Sequence, residues 1–178
     1  MKLLALLMLT LGLVLPARAA TDYPVTERWP ENVFTFVYLP TDAPDVDEAA
    51  VETSFEAWNE IARIEVKYGG RVGGWWEQGD GQNMIGWGFF GSAARSATTV
   101  RHAHECDIIL NADTPGMDFS LLVIHEIGHC LGLQHNDMPS VMNLDTWGQF
   151  ATPTVEDRNA LIGLYGLPFR SVVAEVLR

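Results

Sequence analysis

The chain has 178 residues, 48% of them hydrophobic, and a formal net charge of −12 from 11 Lys and Arg against 23 Asp and Glu. That acidic balance argues against nucleic acid as a partner, because phosphate contact needs a basic face. Two cysteines, Cys106 and Cys130, limit any covalent cross-linking within the chain to one bridge.

Residues 3–15 form an apolar run behind Lys2 that is short for a bilayer span, and Pro16 breaks it. Ala17-Arg18-Ala19 fits the small-x-small cleavage rule, so a signal peptide is expected over residues 1–19. The rival reading is an uncleaved anchor. Cleavage leaves one domain over residues 20–178, exported from the cell: secreted, or periplasmic if the source is Gram-negative. No other segment is long and apolar enough to cross a membrane, and a monomer is expected.

Residues 32–38 alternate apolar side chains and read as a first strand, ended by Pro40. Asp45 with Glu48 resembles a capping box and starts a helix to about Arg63. Its stripe of Val51, Phe55, Trp58, Ile61 and Ala62 reads as a core face. Residues 64–68 read as the next strand. A glycine-rich stretch, 69–81, holds Trp75 and Trp76. Residues 83–89, 98–102 and 106–110 supply three more strands. Asp118 caps a helix that runs to Leu131 and stops at Gly132. Thr154 and Asp157 cap a last helix ending at Gly166, with Pro168 barring its continuation. Five strands and three helices without regular βαβ alternation make an α+β domain.

Residues 125–135 carry the most specific pattern, H-E-x-x-H-x-x-G-x-x-H. His125 and His129 lie one helical turn apart, so both side chains leave the same face and can grip one ion. Gly132 can take a left-handed conformation that ends the helix and lets the chain bring in His135. Three protein ligands leave the fourth position of a tetrahedral Zn²⁺ open for water, as in a catalytic site. Glu126 stands beside His125 as the natural general base.

Cys106 and Cys130 suggest a disulfide in an exported protein, tying a strand to the motif helix and worth on the order of 3 kcal/mol. Two buried thiols, or Cys130 as a reactive neighbour of the metal, are the alternatives. The spacing permits each of these.

At these residues the chain resembles the metzincin zinc endopeptidases. Ser140-Val141-Met142 stands where that clan places its Met-turn, a methionine beneath the metal. Among metzincins the matrixins look closest. Asp157 to Gly166 is similar to the helix that closes their catalytic domain, and Arg28-Trp29 and Ala57-Trp58 look like further landmarks. Astacins and serralysins carry a tyrosine two residues past the methionine, where this chain has Leu144. The resemblance implies a zincin-like domain: a twisted, mostly parallel sheet with an antiparallel edge strand between residues 93 and 103. It also implies an extended polypeptide substrate beside that edge, and peptide hydrolysis by a zinc-bound water that Glu126 activates. The specificity pocket would be walled by residues 143–153. The cysteine-bearing propeptide of matrixin zymogens has no counterpart between residue 19 and the first strand.

Other groups are weaker candidates. His102 and His104 alternate on one side of a strand and suit a second metal, but the matrixin structural zinc needs an H-x-D and two further histidines, and the chain has only these two to spare. Asp80, Asp107 and Asp113 are candidate Ca²⁺ ligands outside any D-x-D-x-D loop. Trp75, Trp76, Trp87, Phe89 and Phe90 suit either packing or a substrate surface. A zinc-binding module that keeps the scaffold without proteolysis is the alternative function, although such modules usually lose a ligand or the base. The role of residues 167–178 is left open.

Overall fold

The structure, a computed structural model, is described over residues 23–26, 28–29, 32–38, 48–59, 61–73, 77, 79–88, 90–91, 96–102, 104–114 and 118–168. The expected signal peptide, the Asp45 cap, Trp75, Trp76, Phe89 and residues 169–178 lie outside these.

Five strands form one sheet: β1 (Val33–Tyr38), β2 (Glu65–Arg71), β3 (Asn83–Gly88), β4 (Ala97–His102) and β5 (Glu105–Asn111). Their order is β2-β1-β3-β5-β4. All neighbours are parallel except β4, which pairs antiparallel with β5 from Ala97↔Leu110 to His102↔Glu105. The expected mixed sheet with an antiparallel edge strand is therefore present, and β4 is that edge. In β1 the sequence alternation translates directly, with Phe34 and Phe36 buried and Val33 and Thr35 exposed. β5 is buried along nearly its whole length, because sheet neighbours flank it on both sides and α2 covers a face.

Helix α1 spans Glu48–Glu56, α2 Phe119–Cys130 and α3 Val155–Tyr165, with a short 3-10 turn at Leu144–Thr146. α1 ends earlier than its apolar stripe suggests. The cause is Asn59, whose side chain donates to Val66 O at 2.9 Å and accepts from Val66 N at 2.7 Å. That exchange imitates a strand partner and draws the chain out of the helix towards β2. The stripe still reaches the core: Val51, Phe55, Trp58, Ile61 and Ala62 are all buried. Each such large apolar side chain stabilises the fold by about 1.5–3 kcal/mol. Trp58 Nε1 donates to Ile124 O at 3.0 Å and Ser54 Oγ to Ser120 O at 3.0 Å, locking α1 against α2.

Cys106 on β5 and Cys130 on α2 form a disulfide, with Cα atoms 5.7 Å apart, so the helix that carries the motif is bonded to the sheet. Trp87 is buried and packs edge-on against Phe119, with centroids 4.7 Å apart, which assigns it to the core. Among the described residues no helix is long and apolar enough to cross a membrane.

Candidate active site

Asp118 opens α2 by accepting from Ser120 N at 3.0 Å. At the other end Leu131 is the cap residue and Gly132 adopts φ 99°, the left-handed region that its place in the motif demands. Leu133 N donates to Gly128 O at 2.9 Å and Gly132 N to His129 O at 3.0 Å, the paired bonds of a Schellman turn. The turn reverses the chain within three residues and delivers His135 opposite the helix.

The three imidazoles converge. His135 Nε2 lies 3.1 Å from both His125 Nε2 and His129 Nε2. The other nitrogens fix the tautomers: His125 Nδ1 donates to Val141 O at 2.8 Å, and His129 Nδ1 to Leu133 O at 2.9 Å. With the proton held on Nδ1, each Nε2 presents a lone pair to its neighbours. Such lone pairs repel one another unless a cation lies between them. A tetrahedral Zn²⁺ with Zn–N bonds of about 2.0–2.1 Å sets its nitrogens roughly 3.3 Å apart, close to the spacing seen. The donor set therefore fits zinc. Burial pushes the His125 imidazolium down to about 4, against the Val141 hydrogen bond and helped by repulsion from His129 and His135. Burial likewise brings His129 to about 4, and it lowers His135 too. At neutral pH the two inner rings are neutral, as metal ligation requires.

Glu126 lines the same cleft, 6% exposed. Its Oε2 lies 2.5 Å from Thr99 Oγ1 on β4. The cleft encloses about 400 Å³ between Ala97, Thr98, Thr99 and Arg101 of the edge strand and Glu126, His129, Gln134 and His135.

Met142 is fully buried, with its thioether against Gly128 of the motif helix. A methyl group built on Gly128 would collide with Met142 Sδ and press on Trp58 at 3.2 Å, so any side chain here must displace Met142. The Met-turn is anchored by Asp157 at the start of α3. Asp157 Oδ1 accepts from Ser140 Oγ at 2.6 Å and Tyr23 OH at 2.5 Å. Its Oδ2 accepts from Val141 N at 3.2 Å and from Thr154 N and Oγ1, both at 2.8 Å. Through Val141, whose carbonyl receives His125 Nδ1, this fully buried carboxylate supports the first histidine. Burial and the Asp157 charge raise the Tyr23 phenol well above its ordinary range, so it stays a donor. Trp147 covers another side of His125, with ring centroids 5.1 Å apart.

Among the described residues, His125, His129 and His135 are the one group of three or more metal-capable side chains close enough to share an ion. His102 and His104 are both exposed. Asp80, Asp107 and Asp113 are not brought together: Asp80 accepts from Gln82 N, buried Asp107 from Met84 N, and Asp113 is exposed. Buried Glu105, which sequence reading passed over, accepts from Gly79 N and Gly81 N at 2.7 Å each. Burial pushes its carboxyl pKa up, but these N–H groups, the Asp107 side chain and His102 together leave it lowered. It pins the glycine-rich loop to β5. Thr99 also escaped sequence reading, since it belongs to no local motif, and Trp147 was reached only as part of the 143–153 segment.

The family model for matrixin peptidases matches residues 29–166 of the 178, which covers both the sheet and the histidine constellation. The chain belongs to the matrixin family, a family of zinc metallopeptidases.

Proposed function

We propose that this protein is an exported zinc endopeptidase, with residues 20–178 as a single catalytic domain acting as a monomer. The observation that carries the reading is the meeting of three imidazoles, each with a ligand nitrogen within 4.8 Å of the others, beside a buried carboxylate in an open cleft. His125, His129 and His135 hold the metal, with Met142 packed against Gly128 of the motif helix. Bound zinc supplies Lewis acidity towards a carbonyl and a water. Glu126 accepts the proton of the attacking water and delivers it to the departing amine. β4 is the edge strand of the sheet beside the cleft, and a polypeptide lies extended along Thr98 and Thr99, its main chain hydrogen-bonded to that strand. The disulfide supports export, since such bonds persist in oxidising compartments. Retention of every ligand and of the base favours hydrolysis over a binding module.

The test is cleavage of a mixed, denatured protein library by the zinc-loaded mature chain, beside Glu126→Gln and a chelator-treated control. Cleavage by the loaded wild type alone is expected, with Glu126→Gln keeping its zinc and losing about 10²–10⁴-fold in turnover. Full activity in Glu126→Gln would remove the assignment of the base. Retained activity after chelation would remove the metal from the reaction.

A further inference from the structure

The carboxylate of Glu126 has a partner on the edge strand. Thr99 Oγ1 stands 2.5 Å from Glu126 Oε2 and 3.3 Å from the backbone oxygen of the same residue. A hydroxyl carries one proton. Two oxygens at the shorter separation need that proton between them, and a charged acceptor outcompetes a carbonyl, so Thr99 donates to the carboxylate. Thr99 itself is fixed: β4 is laddered to β5 along its length, with Thr99 opposite Ile108. The terminal torsion of a glutamate is broad and twofold, so an unheld carboxylate would offer either oxygen in many orientations. With Oε2 tied to β4, the carboxylate is confined to one orientation at the cleft it lines.

We infer that Thr99 is a positioning residue, holding Glu126 so that one defined carboxylate oxygen meets the attacking water. The inference rests on Glu126 being the base. It also makes the strand that receives the substrate the strand that orients the catalytic group. The cleft is thus set up before substrate arrives, and the benefit falls on the chemical step more than on binding.

The test compares wild type, Thr99→Val and Thr99→Ser as full chains loaded with zinc. Valine keeps the β-branched shape and strand preference and removes only the hydroxyl. Zinc content, melting temperature, kcat and KM on a peptide cut by the wild type, and affinity for acetohydroxamate are measured. A hydroxamate chelates the metal through two oxygens and gives a hydrogen bond to a carboxylate beside it, so it reports the same orientation without turnover. Thr99→Val should lower kcat about tenfold or more while KM stays within about twofold, and should weaken acetohydroxamate by a similar factor. Thr99→Ser should restore both, with zinc content and melting temperature unchanged throughout. Wild-type kcat and hydroxamate affinity in Thr99→Val would overturn the inference, as would a serine variant as impaired as valine. If the wild type cuts no peptide, the peptidase reading fails by itself. The hydroxamate affinities then decide on Thr99 alone: weakened binding in Thr99→Val supports it, and equal binding overturns it.

Discussion

Replacing both cysteines, Cys106→Ala with Cys130→Ala, should cost the domain much of its stability. The bond spans a sequence separation of 24. Releasing a loop of that length returns entropy to the unfolded chain worth about 3.5 kcal/mol at 25 °C in the chain-entropy model. Both sulfurs are fully buried, so truncation leaves small voids that add to the loss. At about 2–4 °C per kcal/mol for a domain of this size, the melting temperature should fall by about 7–14 °C. Calorimetry of the zinc-loaded and zinc-free proteins checks this, and the drop should appear in both, because the bond acts on the unfolded chain rather than on the metal. Reducing the wild type separates the two contributions, since free thiols still fill the space. Most of the drop should follow reduction alone. A double variant melting within about 2 °C of wild type would refute the reasoning, showing that the unfolded chain is already confined without the bond.

Gly128→Ala gains about 1 kcal/mol of helix propensity but meets Met142 and Trp58, and overpacking costs about 1–3 kcal/mol, so a net loss with weaker zinc binding is expected. Melting curves and zinc titration check it, and a stabilised variant with native zinc affinity would show that Met142 yields freely. Asp157→Asn places an amide donor among five donors and should cost roughly 3 kcal/mol by denaturant unfolding. Unchanged stability would remove Asp157 as anchor of the Met-turn. The zinc-free protein should lose stability as pH falls from about 6.5 towards about 4, because unfolded histidines take up protons there that folded His125 and His129 refuse. Chemical denaturation in a chelating buffer measures that profile, and a flat one would mean that the rings protonate in place.

Much of the site was legible because its geometry is local. His125 and His129 meet through the pitch of one helix, and Gly132 turns the chain within a single Schellman motif, so the order of residues already implies convergence with His135. The strand alternation of β1 and the burial of Phe55 and Trp58 follow from the same short-range periodicities. The extent of α1 did not, because it is settled by Asn59 pairing with Val66 on another element. The disulfide expected from a cysteine pair in an exported chain is present, although the spacing also allowed free thiols. Contact between β5 and α2 selected the bond. Thr99 reaches Glu126 from the edge strand and Trp147 reaches His125 from the turn after Met142, while Asp157 of the last helix acts on His125 through Val141. What the order of residues determined by itself was a metal-gripping helix and the strands around it, because backbone periodicity acts over a few residues. Which side chains orient that grip was decided only by tertiary packing, because they come together across separations that no local pattern encodes.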